Sequence, residues 1–180
     1  MVAMILGTGF EPLEAVAPCD ILRRGGVEVC CASVGERLVE AGHGIRIEAD
    51  CTVAELDAEK LDMIVLPGGL GGVQSILGSE KTLELIRRVY DEGKFVAAIC
   101  AAPSILARLG ITDGKKATCY PGFEPKMGCA VMQSCGALRD GTVITGRAAG
   151  SSEEFGLLLL EALKGKAAAE KVAGEIVYSR

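Results

Sequence analysis

Short apolar runs alternate with segments of helical period along this chain, and that alternation predicts an α/β fold whose mostly parallel sheet is covered by helices on both faces. Two further observations agree. The composition is 49% hydrophobic with only 4% aromatic residues and no Trp, which suits strands buried on both faces and packed by aliphatic side chains. Several of the expected strands also end at glycine-rich or cysteine-bearing loops, where open α/β sheets hold their ligands. A chain of 180 residues can bury a full core without disulfides or metal staples, and no repeat, linker or low-complexity run interrupts it. Residues 1–180 are therefore expected to form one domain.

The elements follow in order. Val2 to Leu6 reads as the first strand, and Gly7-Thr8-Gly9-Phe10 as the loop leaving it. Leu13, Val16, Ala17, Ile21 and Leu22 give Pro12 to Arg24 a helical period, with Pro18 expected to kink it and Gly25-Gly26 to end it. Val27 to Val34 is a second strand, after which Arg37 to Asp50 reads as a hairpin-like excursion turning at Gly42 and Gly44, with His43 at its centre. Met63 to Leu66 is a strand ending at Pro67-Gly68-Gly69, and the glycines from Gly68 to Gly72 would let backbone amides approach a ligand. Ser79 is expected to cap a helix from Glu80 to Glu92 that Gly93 ends. Phe95 to Ile99 is the next strand and runs into the helix that ends near Leu109. Thr118 to Tyr120, Ala130 to Ser134 and Thr142 to Thr145 read as further strands. Ser151 or Ser152 is expected to cap a helix through Leu163, and Lys166 to Ala173 to form a last short one.

Charge and cysteine usage exclude several function classes. A formal net charge of −5 with no basic cluster argues against a nucleic acid or an anionic membrane as partner, the pair Lys115-Lys116 reading as a solvated turn. The first apolar run stops at Gly7 and no later run could span a bilayer, so a cytoplasmic location is expected. In such a reducing compartment the eight cysteines are expected to be free thiols. No C-x-x-C occurs, and Cys30-Cys31 would send its side chains to opposite faces of a strand, so no metal site is expected.

Cys100 is the strongest candidate for chemistry. An apolar strand leads straight into it and a helix straight out, while Ala98 and Ala102 leave the room a sharp strand-to-helix turn demands, as the outer glycines do around the serine of a nucleophile elbow. The first helical turn would aim unpaired N–H groups at the sulfur and favour a thiolate, with Pro103 at an early position where its missing N–H costs little. Glu14 follows the loop leaving the first strand and should approach the same rim. Kept neutral in a desolvated pocket, it could donate a hydrogen bond to the thiolate. Position alone favours a carboxylate that merely complements the helix dipole or faces solvent, with Glu11 an equal contender. Gly68 and Gly69 are candidates for an oxyanion hole or simply a tight turn. His43 is the chain's single histidine, so a Cys-His dyad would have to use it, but its position in the excursion suits a surface or interface role better.

Gly9-Phe10-Glu11-Pro12-Leu13-Glu14, Leu66-Pro67-Gly68-Gly69, Ala98-Ile99-Cys100-Ala101-Ala102-Pro103 and Thr118-Cys119-Tyr120-Pro121-Gly122 together resemble the ThiJ/PfpI superfamily. More narrowly the chain is similar, from end to end, to the branch typified by the Parkinson's-disease protein DJ-one and its bacterial relatives. The resemblance implies a flavodoxin-like three-layer α/β/α sandwich, a homodimer, and a protonated Glu14 partnering a readily oxidised Cys100. It further implies that Gly68, Gly69 and the Ala101 amide line an anion or oxyanion pocket, that Arg147 stands where the family has an arginine, and that His43 lies in the segment reaching across the dimer. The run Arg147-Ala148-Ala149-Gly150-Ser151 departs from the family's Arg-Gly-Pro-Gly-Thr, and Tyr120 stands where animal relatives often have histidine. The peptidase-like branch carries histidine directly after its nucleophile, and Ala101 here counts against proteolysis.

The function implied is a cofactor-independent enzyme acting on reactive α-oxoaldehydes, of glyoxalase III or deglycase type, whose substrate is a small aldehyde or a glycated adduct. The alternative is a redox-responsive stress protein or chaperone in which Cys100 is oxidised to the sulfinic acid without turnover.

Overall fold

The computed structural model describes residues 1–179. Its elements are β1 (Val2–Leu6), α1 (Pro12–Arg24), β2 (Val29–Ser33), β3 (Leu38–Glu40), β4 (Arg46–Glu48), β5 (Cys51–Thr52), β6 (Met63–Leu66), α2 (Leu70–Leu77), α3 (Glu80–Asp91), β7 (Phe95–Ile99), α4 (Pro103–Arg108), β8 (Lys116–Ala117), β9 (Val131–Met132), β10 (Ala137–Asp140), β11 (Val143–Gly146), α5 (Ser152–Lys164) and α6 (Lys166–Glu175). Seven strands form the central sheet in the order β10-β11-β7-β6-β1-β2-β5. Every pairing in it is parallel except that of β10 with β11. This is the mostly parallel, helix-covered sheet expected of an α/β sandwich.

The two-residue period of the strands divides the core. Val2, Met4 and Leu6 of β1, Met63 and Val65 of β6, and Ala97 and Ile99 of β7 pack on one face with Ile21 and Leu22 of α1 and Phe155, Leu159 and Leu160 of α5. Ala3 and Ile5, Ile64 and Leu66, and Val96 and Ala98 pack on the other with Ile76 of α2, Ile86 and Val89 of α3, and Ile105 and Leu106 of α4. Burial on both faces explains why the strands read as unbroken apolar runs rather than alternating ones.

Helix α1 continues through Pro18 without a break, and α5 approaches it closely there through Gly156, where a Cβ would lie 3.0 Å from Pro18 Cα. Ser79 caps α3 as expected, accepting from Thr82 N at 3.3 Å. The excursion is a β3–β4 antiparallel hairpin turning through a short 3-10 segment, Gly42–Gly44.

Several expectations are corrected. Gly71 and Gly72 belong to α2 rather than to a ligand loop, leaving Gly68 and Gly69 as the turn. The second strand begins at Val29, two residues late, and Thr118 to Tyr120 is irregular, the strand there being Lys116–Ala117 paired with Val131–Met132. β5 and β10 were not anticipated; both are short sheet-edge strands with partly exposed side chains and so lack a strong apolar signature. Neither Ser151 nor Ser152 caps α5 through its side chain, and Ser152 Oγ donates instead to Ala149 O at 2.8 Å.

Candidate active site

The carboxyl ends of β1, β6 and β7 converge on a cavity of about 430 Å³ lined by Glu11, Glu14, Gly69, Leu70, Cys100, Ala101, Tyr120, Phe123 and Ala148 to Gly150. Cys100 sits at the end of β7 with φ of 66°, a left-handed conformation that costs a non-glycine residue on the order of 1–3 kcal/mol. Surrounding bonds impose it. Cys100 N donates to Gly146 O at 3.0 Å, Tyr120 N donates to Cys100 O at 2.7 Å, and Ala102 N donates back to Ile99 O at 3.1 Å. Ala98 and Ala102 are wholly buried at this bend, where larger side chains would collide.

Glu14 comes from the first turn of α1 and is completely buried. Its Oε2 accepts from Gly68 N at 2.8 Å, while Oε1 is buried with no hydrogen-bond partner among the described residues. Cys100 lies beside it, close enough for each group to shift the other. The backbone around the pair leaves no spare volume. A Cβ on Gly68 would lie 2.6 Å from Glu14 Oε2 and 2.7 Å from Cys100 Cβ, and one on Gly69 only 2.5 Å from Gly9 O. Gly69 also has φ of 81°, so its position demands glycine twice over. The contact of these two loops is what turns α1 so that Glu14 faces Cys100.

Burial pushes Glu14 up from its ordinary 4.5 to about 7, against the pull of Cys100 and the Gly68 amide, which favour the carboxylate, and with a further push from Glu11. Burial likewise pushes Cys100 up to about 12, the Glu14 charge adding to it, while the Gly69 and Ala101 amides act in the opposite sense. Two groups this close titrate as a pair: one proton leaves near pH 7 and the second is held to about 12. The remaining proton has a preferred home. Two amides face the sulfur, whereas the unpartnered Oε1 makes a buried carboxylate costly, so a neutral Glu14 that can turn its O–H toward a Cys100 thiolate satisfies both groups.

The sequence-derived site residues therefore separate. Cys100, Glu14, Gly69 and Ala101 line one cavity, and Glu11, the equal contender on sequence grounds, stands at its edge, 3.6 Å from His43 Nε2. Gly68 was expected to offer its amide to an oxyanion, but Glu14 occupies that N–H. The donors expected from the helix after Cys100 also differ, because α4 starts only at Pro103 and Gly69, on a different loop, supplies the second amide. Arg147 is absent from the lining: its Nη1 donates to Ser134 Oγ at 2.9 Å, and its charge acts on Cys119 and Cys135. His43 is 80% exposed on the hairpin. Leu70 and Phe123, which wall the cavity, carried no sequence signal, since an apolar wall reads like any other apolar residue. Among the described residues, no group of three His, Cys, Asp or Glu side chains could hold a metal ion.

Comparison with known proteins gives a consistent picture. Residues 1–162 match the model of the DJ-1/PfpI family. Protein dj-1beta of Drosophila melanogaster is 36% identical over 173 residues, covering 94% of this chain and 92% of that protein. Protein DJ-1 homolog B of Arabidopsis thaliana is 39% identical over 172 residues, covering 94% of this chain but only 39% of that longer protein. Among solved structures, Toxoplasma gondii DJ-1, described as oxidized, superposes with a TM-score of 0.95 at 31% identity, covering 99% of this chain and 98% of that one.

Proposed function

Because the chain belongs to the DJ-1/PfpI family, we propose that it is a cofactor-independent cysteine enzyme acting on reactive α-oxoaldehydes, with Cys100 as nucleophile and Glu14 as proton carrier. The supporting observation is a wholly buried carboxyl beside a strained cysteine in one small cavity. In this reading the Cys100 thiolate adds to the aldehyde carbon of methylglyoxal while Glu14 gives its proton to the carbonyl oxygen, forming a hemithioacetal. The Glu14 carboxylate then takes the proton from the former aldehyde carbon and returns it to the neighbouring carbon through an enediol, leaving a thioester of the hydroxy acid. Water attacks the thioester carbonyl, lactate leaves, and the thiol is restored. The Gly69 and Ala101 amides are suited to stabilise the oxyanions of addition and hydrolysis, because both already face the sulfur to which the reacting carbon is bound. Removal of the same adducts from proteins, the deglycase activity, would need the same residues.

The homodimer belongs to this proposal, supported by Leu13 and Val16, which lie 59% and 51% exposed on α1. So does a cross-dimer contribution from the exposed His43. No described helix is long and apolar enough to cross a membrane, and a cytoplasmic location is part of the same reading.

Incubating the purified protein with methylglyoxal and following D- and L-lactate tests the enzyme. The wild type should form lactate, and Cys100→Ser and Glu14→Gln should not; no lactate from the wild type would end this reading. One observation favours the second reading, a redox-responsive protein. The same amides would donate hydrogen bonds to the oxygens of a sulfinic acid on Cys100. Peroxide treatment followed by mass spectrometry would then add two oxygen atoms to Cys100 before the other cysteines react.

A further inference from the structure

Strand β2 carries two adjacent cysteines whose side chains point to opposite faces of the sheet, and each meets another thiol. Cys30 Sγ lies 3.2 Å from Cys51 Sγ on neighbouring β5, and Cys31 Sγ lies 3.7 Å from Cys19 Sγ on α1. All four are free thiols, and none takes part in the Cys100 chemistry.

The two pairs differ in what would have to move for a bond to form. Cys19 is buried on α1, whose close packing against α5, where a Cβ on Gly156 would already lie 2.9 Å from Ile21 Cδ1, ties any movement of Cys19 to the whole helix. Cys51 opens a two-residue strand at the sheet's edge, held to β2 by the pairs Ala32 with Cys51 and Ser33 with Thr52. That register sets Cys30 two residues from Cys51's direct partner on the same face. An edge strand this short can yield the small displacement that brings two sulfurs from contact to bonding distance.

We propose that Cys30 and Cys51 form a reversible dithiol–disulfide couple, a modification site for organic disulfides of the glutathione class, that clasps β5 to β2. One thiol, as thiolate, attacks glutathione disulfide and releases one glutathione thiolate. The second then attacks the mixed disulfide at the protein sulfur and releases the other. One S–S bond is broken in the oxidant and one formed in the protein; two electrons pass from the protein sulfurs to the oxidant, and the two protein protons end on the two glutathione thiols. Burial and the neighbouring Cys51 thiol push Cys30 up to about 12, so Cys30 rests as a thiol in the reduced state and gives up its proton only as it attacks in the second, resolving step.

The clasp would close the segment from residue 30 to residue 51, which contains the whole β3–β4 hairpin. That hairpin is tied to the active-site loop: Gly9 N donates to Glu40 O at 2.7 Å, Gly42 N donates to Phe10 O at 2.8 Å, and His43 faces Glu11 at the cavity's edge. Oxidation at the sheet edge would thus restrain the element that borders the Cys100 cavity.

The test is to titrate the reduced full-length protein with glutathione disulfide, block remaining thiols with N-ethylmaleimide, and map the peptides. Adjacent cysteines are resolved by variants. The crosslinked peptide should form with release of two glutathiones, persist in Cys31→Ser and Cys19→Ser, and vanish in Cys30→Ser and Cys51→Ser. Limited proteolysis of the oxidised wild type should cut the hairpin more slowly than in the reduced protein, a readout independent of any variant's folding. Stable mixed disulfides on Cys30 or Cys51, a crosslink running through Cys19 or Cys31, or both thiols left open to the maleimide would overturn the proposal.

Discussion

Replacing Glu14 by Gln removes a buried ionisable group while keeping its shape, and the consequence for stability can be worked from its pKa. Burial raises Glu14 from 4.5 in an exposed chain to about 7 in the folded protein, so the native Cys100–Glu14 pair holds its first proton more tightly than the unfolded chain holds that of Glu14. For such a group, the stabilisation is fully present below pH 4.5 and is lost as pH rises through about 7. The difference of roughly 2.5 pKa units corresponds to about 3 kcal/mol, with no discount for solvent screening because Glu14 is wholly buried. Wild-type stability should fall by that amount between pH 5 and pH 8, and Glu14→Gln should lack this component. Urea unfolding at both pH values measures it: the difference between the two midpoints should change by on the order of 1 M. The glutamine can still accept from Gly68 N through its amide oxygen, so the variant isolates the charge. Parallel pH profiles for the two proteins would refute the burial argument.

Three further outcomes follow from the same geometry. The kcat/KM for methylglyoxal should rise with pH through about 7, as the Cys100–Glu14 pair loses its first proton, and a rate profile from pH 5 to 9 reads this directly. Gly68→Ala should destabilise the protein by about 1–3 kcal/mol, because its Cβ would intrude on Glu14, Cys100 and Ile99 O, and thermal melting reports it. The same variant should lower kcat/KM on the order of 100-fold by displacing the reacting pair. Arg147→Ala should leave kcat/KM near the wild-type value, since that side chain reaches Ser134 rather than the cavity; steady-state kinetics would reveal a large loss if the arginine served the substrate.

Much of this architecture was legible in the sequence because its signals were local and strong. The bounds of β1, α1, β6 and β7 follow from apolar runs ended by Gly, Pro or Cys, and the elbow at Cys100 is announced by its flanking alanines. What the sequence hid was either weak in pattern or created by distant contact. β5 and β10 are edge strands whose partial exposure blurs the apolar signal, and α2 was masked by Gly71 and Gly72 within it. Position left Glu14 and Glu11 equal; only the crossing of the first loop over Gly68 and Gly69 turns Glu14 inward. The destination of the Gly68 amide and the detour of Arg147 to Ser134 depend on partners 54 and 13 residues away, beyond what local spacing can reveal. The pairing of Cys30 with Cys51 is hidden for the same reason, since it needs the register of an edge strand.

The shared proton is tested most directly by the pH dependence of Cys100 alkylation with iodoacetamide, read by peptide mass spectrometry in the wild type and in Glu14→Gln. If the first proton lost from the pair leaves a thiolate beside a neutral Glu14, the wild-type rate should climb through an inflection near pH 7, and the substitution should move that inflection into the ordinary thiol range. The same inflection in both proteins would mean that the sulfur titrates without Glu14, and would contradict the pairing on which the proposed chemistry rests.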